Sequence, residues 1–412
     1  MAKITAVSPL APAAFPDLPP VEGVRFAALE AGIRYRGRPD LMLIETAPGS
    51  TVAGLFTRST TAGHPVLWGR AILPHGRARA VIVNAGNANV LRGAEGDAAV
   101  RAEAEAVARA LDCAPEEVFV ASTGVIGERL PVARILERVD ELAAGLAADG
   151  IAAAARAIMT TDTFPKGASA QAEIGGVPVT IAGIAKGSGM IAPDMATMLA
   201  FVVTDAALPA EVLQPLLAEA TDATFNATTV DSDTSTSDTL LLLATGAAGN
   251  PPVNDPTALE LAEFRAALGR VLRDLAHQVV RDGEGAEKFI AVTVEGASDD
   301  ASARRVGLAI ANSPLVKTAI AGGDANWGRV VMAVGKSGEP VEMARLGVAF
   351  GGHAVARDGA AVPDLDEAPV AAHLAGREID IRVVVGTGAG NATVWTCDLT
   401  HGYIEINADY RS

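Results

Sequence analysis

KGSGMIAPDMATMLAFVVTD, residues 186–205, is a glycine-rich turn carrying one lysine that runs into a buried strand. Met198 to Val203 is an unbroken run of six apolar residues closed by Thr204-Asp205, the pattern of a strand covered on both faces. Thr197 therefore stands at the mouth of a buried strand, after a sharply bending loop. It has a small residue, Ala196, before it and a cation, Lys186, several residues back. These conditions suit a threonine nucleophile that frees its own amine by cutting the Ala196–Thr197 bond. On pattern alone, a threonine that merely opens a strand is the simpler account.

The same stretch resembles the cleavage and nucleophile segment of the ornithine acetyltransferase family, the bifunctional glutamate N-acetyltransferases of arginine biosynthesis. The resemblance rests on Lys186-Gly187-Ser188-Gly189-Met190-Ile191 and Ala196-Thr197-Met198-Leu199, and extends from about Asp40 to the C-terminus. It implies a cut before Thr197, giving an α chain of residues 1–196 and a β chain of 197–412. It also implies an α/β (α+β) fold: a layered helix–sheet sandwich of the ornithine acetyltransferase or N-terminal-nucleophile type. The catalytic αββα unit is expected over about 1–285, with a smaller C-terminal α/β domain over about 286–412.

Composition sets broad limits. The chain has 412 residues, half of them apolar and 4% aromatic, so an Ala, Val, Leu and Ile core is expected, in two or three domain-sized units. Its formal net charge of −16 argues against nucleic acid as a partner. Cys113 and Cys397 make neither a disulfide framework nor a metal-ligand spacing. No apolar run reaches about 18 residues, and the N-terminus has no signal-peptide pattern. A cytoplasmic protein with no membrane contact is expected.

Outward from the central stretch, residues 1–22 read as an irregular Pro- and Ala-rich arm. Strands follow at 23–27, 41–44, 51–56 and 79–84, the last running into an Asn-Gly turn at 85–89. The 57–66 loop departs from the family pattern. Residues 97–111 form an Ala-rich helix capped by Asp97, and 117–121 a strand that ends in a Ser122-Thr123-Gly124 turn. A helix with Val132, Ile135, Leu136, Val139, Leu142 and Leu146 on one face comes next. Gly175-Gly176 marks a hairpin between 168–174 and 177–185, with Pro178 placing the second strand at an edge or giving it an irregular start. Pro215 is expected to kink or break the helix 209–224. Residues 225–239 read as a packed polar loop rather than a metal site, 256–280 as the longest helix, and 383–397 as a β-hairpin.

The resemblance assigns further roles: Thr123 and Gly124 to an oxyanion hole, and Thr160, Lys186, Thr197, Glu284, Asn407 and Ser412 to substrate binding, with no metal and no bound cofactor. None of the six histidines pairs convincingly with a serine or cysteine. A threonine carrying its own α-amine supplies nucleophile and base together, the amine titrating near 7.7–8.0 when unperturbed. The implied reaction is ping-pong transfer of acetyl from N-acetylornithine to glutamate, with acetyl-CoA left open as a further donor and an α2β2 assembly of the two fragments as partner. Two alternatives stand beside it: a self-cleaving aminopeptidase-like hydrolase, and a non-catalytic binding protein in which the junction stays intact. On this reading Gly124→Val leaves the fold standing and lowers turnover.

Overall fold

The computed structural model describes residues 6–192 and 198–408. Thr197 and Ala196, expected at the cleavage junction, and Ser412 lie outside the described residues. The chain divides into two units, one of Ala13–Asn226 and Asp233–Val279, the other of Met1–Pro12, Ala227–Ser232 and Val280–Ser412.

The larger unit carries β1 (Val24–Leu29), β2 (Leu41–Thr46), β3 (Thr51–Phe56), β4 (Ala80–Asn87) and β5 (Val118–Val125). It continues with β6 (Lys166–Ile174), β7 (Val177–Lys186), β8 (Leu199–Thr204) and β9 (Thr239–Ala244). They form two sheets, ordered β1-β2-β4-β5 and β3-β9-β8-β7-β6. Period-two alternation explains their stacking. Met42, Ile44, Val81, Val83, Phe119 and Ala121 meet Leu199, Phe201, Val203, Leu241 and Leu243 in one core between the sheets. Leu41, Leu43, Ala80, Ile82, Val118 and Val120 face the other way, into a second core with the helices Ala94–Leu111, Val132–Leu136 and Val139–Ala144. The helix Ala210–Asp222 packs on β3 on the outer side of the second sheet. The helix Ala262–Arg281, which belongs to this unit up to Val279, is pinned to β6 by Gln278, whose amide exchanges two hydrogen bonds with the Gly167 backbone. The layers are helix, sheet, sheet, helix.

In the smaller unit, β10 (Phe289–Ala297), β11 (Gly347–Phe350), β12 (His353–Arg357), β13 (Ala360–Ala361), β14 (Glu378–Val384) and β15 (Gly390–Cys397) form one sheet ordered β13-β12-β11-β14-β10-β15. Helices Asp300–Ala311, Pro314–Ala321 and Trp327–Lys336 cover its core. Both units are mixed α/β.

Several local expectations are corrected. The segment 383–397 is not a hairpin, because β14 and β15 flank β10 on opposite sides, one parallel and the other antiparallel. Their Gly-rich connection crosses the end of β10, where a Cβ on Gly296 would lie 2.1 Å from the Gly386 carbonyl oxygen. The 132–146 helix is two short helices. Helix Ala94–Leu111 is capped by Gly93, and Asp97 lies in its first turn, where its carboxylate meets His64 Nδ1 at 2.7 Å. Pro215 sits inside an unbroken helix, Ala210–Asp222. Early in the helix Pro215 forfeits a single backbone hydrogen bond, that to Glu211. Pro178 lies in an interior strand, but β8 pairs with β7 only from Ile181 onward, so the proline faces no ladder on that side.

One buried group strains the larger unit. Glu103 is fully buried on the helix Ala94–Leu111, neither carboxyl oxygen has a hydrogen-bond partner, and burial pushes its carboxyl up to about 8. A raised carboxyl pKa keeps stability intact below the unfolded value near 4.5 and loses it as pH rises toward 8. Glu103→Met is therefore expected to melt several degrees above the parent at pH 8, with the two converging near pH 4.5. Parallel melting curves across that range would show that Glu103 has found a partner.

Candidate active site

The site grows from the ends of five strands. Lys186 closes β7 and pairs across the sheet with Leu199, the first residue of β8, which in turn pairs with Thr239 of β9. In the other sheet, β4 and β5 run parallel, with Ala85 beside Thr123 and Gly86 beside Gly124. The expected Ser-Thr-Gly turn is thus strand, and so are Ala85 to Asn87. Both glycines have positive φ, +106° at Gly86 and +132° at Gly124, and a Cβ on Gly124 would lie 2.3 Å from the Gly86 carbonyl carbon. Gly124→Val therefore does not leave the fold standing. Any side chain there collides with backbone, and the variant cannot report on catalysis alone.

Side-chain amides hold this strand end. Ser122 Oγ donates to Asn84 Oδ1 at 2.6 Å, Asn84 Nδ2 to the Asn87 carbonyl at 2.9 Å, and the Asn89 amide to Asn87 Oδ1 at 2.8 Å. The Asn-Gly run is a buried scaffold.

Lys186, 3% exposed, donates from Nζ to Thr123 Oγ1 at 3.4 Å. An ammonium only donates, so the Thr123 hydroxyl accepts and its own proton is left to point elsewhere. Behind Lys186 lies Asp162, which no motif had singled out for a role. Its Oδ1 meets Lys166 Nζ at 2.7 Å and the Gly187 amide at 2.6 Å. Its Oδ2 takes the Thr160 amide at 2.9 Å and lies 3.8 Å from Lys186 Nζ. Burial alone would raise this carboxyl, but Lys166 and Lys186 more than reverse it and hold it below the usual carboxylate range. Two ammonium groups meet on one carboxylate, and Lys186 carries its ammonium to the Thr123 side. Among the expected site residues, Thr123, Gly124, Thr160 and Lys186 are brought together here. Thr161 and Ser188 add a hydroxyl pair at 2.6 Å.

Glu284 and Asn407 meet in the smaller unit. Glu284, 8% exposed, accepts a hydrogen bond from Asn407 Nδ2 at 2.7 Å, and Asn407 sits on the helix His401–Ala408. Gly285, with φ +74°, lets that helix approach closely: a Cβ there would lie 2.4 Å from the Tyr403 amide nitrogen. Tyr403 in turn donates to Asp231 at 3.3 Å.

Asp238 is the other residue that sequence reasoning passed over. It sits in the polar loop before β9 and accepts the Met198 amide at 3.1 Å through Oδ1. Burial pushes its carboxyl well above the usual range. In the sequence, the only signal for Asp162 and Asp238 was an acid embedded among hydroxyls. Among the described residues, no group of three or more His, Cys, Asp or Glu could hold a metal ion, and no helix is long and apolar enough to cross a membrane. A cavity of about 590 Å³ lined by Arg25, Glu45 and Arg79 involves none of the site residues.

Residues 25–412 match the model of the ArgJ family. The chain is 59% identical over 412 residues to the arginine biosynthesis bifunctional protein ArgJ of Gluconobacter oxydans (strain 621H), covering 100% of this chain and 97% of that protein. It is 57% identical over 410 residues to the protein of the same name from Rhizobium meliloti (strain 1021), covering 99% of each. A solved structure of an arginine biosynthesis bifunctional protein argJ, from Bacillus halodurans, is 41% identical, covers 51% of this chain and 98% of its own, and superposes with a TM-score of 0.49.

Proposed function

The chain belongs to the ArgJ family, and we propose that it moves acetyl from N-acetylornithine to glutamate through an ester on Thr197. It is an acetyltransferase of arginine biosynthesis that acts on small molecules. The observation that carries the mechanism is the Lys186–Thr123 contact. The buried ammonium fixes Thr123 Oγ1 as acceptor, which frees the hydroxyl proton for a developing oxyanion. The Gly124 amide, at the half-buried end of β5, is the second donor. The Lys186 ammonium beside Thr123 favours that oxyanion and depresses a neighbouring α-amine, which suits the amine of Thr197 to act as base.

In this reading the chain cuts itself before Thr197, and fragments 1–196 and 197–412 stay together as an α2β2 enzyme of the cytoplasm. Thr197 Oγ attacks the acetyl carbonyl, ornithine leaves with a proton from the α-amine, and glutamate then takes the acetyl group by the reverse steps. Acetyl-CoA is a further donor, and no cofactor stays bound. Ser412 and Thr160 contact substrate. A ping-pong route requires label exchange between ornithine and N-acetylornithine without glutamate present. Exchange that appears only when glutamate is added rules the ester out. Release of N-terminal residues from peptides, with no exchange, favours the aminopeptidase-like alternative.

Glu284 is the partner for the side-chain ammonium of ornithine, since a buried cation without an anion is costly. Glu284→Gln keeps the size and a hydrogen bond with Asn407 but removes the charge. It is expected to lower kcat/KM for N-acetylornithine by about 1.5–3 kcal/mol, with the junction still cut. Unchanged kcat/KM in a cut enzyme would move the ammonium site elsewhere.

A further inference from the structure

The backbone of Met198, the residue that follows Thr197 in the chain, is held at both ends by two consecutive residues. Its N–H donates to Asp238 Oδ1 at 3.1 Å, and its carbonyl accepts from the Thr239 amide at 3.2 Å. The ladder between β8 and β9 begins only at Leu199–Thr239. The Asp238 side chain therefore supplies an acceptor one step beyond the last strand pair, where no backbone carbonyl of β9 is available.

Asp238 is itself rigidly placed. It is fully buried, its carbonyl accepts the Thr57 amide at 3.1 Å, and Thr57 Oγ1 donates to the Ser235 carbonyl at 2.6 Å. Its second oxygen, Oδ2, is buried without a hydrogen-bond partner. Burial penalises this carboxyl, and the Met198 amide and the Ser235 and Thr57 side chains offset that penalty only in part. The acid is retained where it meets the backbone beside the nucleophile, and the arrangement points to function.

We propose that Asp238 is a positioning residue for the nucleophile: its carboxyl holds the Met198 amide and the Thr239 amide holds the Met198 carbonyl, so the backbone of the residue that follows Thr197 is fixed on both sides. This rests on Thr197 being the nucleophile. The physical case is the steep dependence of a reaction on placement, where a displacement of about 1 Å costs on the order of 10²-fold in rate. The acceptor oxygen does the work and the charge does not, in keeping with a carboxyl that burial drives toward its neutral form.

The test compares Asp238→Ala, Asp238→Asn and Asp238→Glu as full chains, with folding followed by melting and cutting by denaturing gels. Asn offers an amide oxygen in the same place, whereas Glu keeps the acid but carries its oxygen farther by one methylene. We expect Asp238→Ala and Asp238→Glu to lose on the order of 10²-fold in kcat with KM within about threefold, and Asp238→Asn to stay within about tenfold of the parent. The rate of cutting at Ala196–Thr197 should follow the same ranking, and this readout does not depend on acetyl transfer. If Asp238→Ala does not fold, the Asn and Glu variants decide. Asp238→Glu outperforming Asp238→Asn, equal losses in both, or Asp238→Ala within about threefold of the parent overturns the proposal. A parent protein that cuts but transfers no acetyl would sink the acetyltransfer mechanism, while the ranking in cutting would still test Asp238.

Discussion

Thr197→Ala is expected to give one unbroken chain of 412 residues with no measurable acetyl transfer. Both losses have one cause. Cutting needs the hydroxyl to attack the Ala196 carbonyl, and transfer needs the same hydroxyl to carry acetyl. Losing a nucleophile costs roughly 10⁶-fold in kcat in well-studied hydrolases. Thr197→Ser restores a hydroxyl and should recover part of both activities. The buried core around β8 is untouched, so melting should stay close to that of the parent. An alanine variant that still separates into fragments 1–196 and 197–412 would show that another group makes the cut.

Asp162→Ala is expected to bring the largest loss of stability at the site. It takes from Lys166, whose side chain is fully buried, the carboxylate oxygen 2.7 Å from its ammonium. Removing one partner from a buried ion pair typically costs about 3–5 kcal/mol, because the desolvation of the remaining charge is no longer offset by that partner. The Gly187 and Thr160 amides also lose their acceptor. The pH dependence has a definite sign. The Asp162 carboxyl titrates below its ordinary value of 3.8 in the folded chain, so its contribution is complete above that value and shrinks as pH falls below it. The urea midpoint of the variant should fall well below the parent's at pH 7, and the gap should narrow in acid. A midpoint unchanged at pH 7 would mean that Asp162 does not hold the lysines.

Much of the fold could be read along the chain because burial left periodic marks. Leu199 to Thr204 is buried at every position, as an apolar run between turn signals implies. Leu261, Phe264, Leu268, Val271, Leu272, Leu275 and Val279 are all buried, as their helical spacing requires. Failures came where a tertiary partner decides. Ser122-Thr123-Gly124 looks like a turn by composition, but β4 pairs with it through Gly124, so it stays strand. Gly386 to Gly390 looks like a hairpin loop, and only the insertion of β10 between its arms shows that it is a crossover.

The site followed the same division. Lys186, Thr123 and Gly124 carried recognisable motifs. Asp162 and Lys166 are four residues apart, a spacing that suggests a helix pair, yet they lie in irregular chain and at a strand start. Their partnership depends on Gly187 and Lys186 arriving from β7. Asp238 lies 40 residues from the backbone amide that it serves. Acids of this kind become visible only when the fold closes around them.

The most direct measurement is the mass of the enzyme after incubation with N-acetylornithine in the absence of glutamate, quenched in acid. The account predicts two fragments, 1–196 and 197–412, with one acetyl group on the second, located at Thr197 and removed when glutamate is added. An intact chain, or an enzyme that transfers acetyl while the fragment beginning at Thr197 stays unmodified, would contradict it.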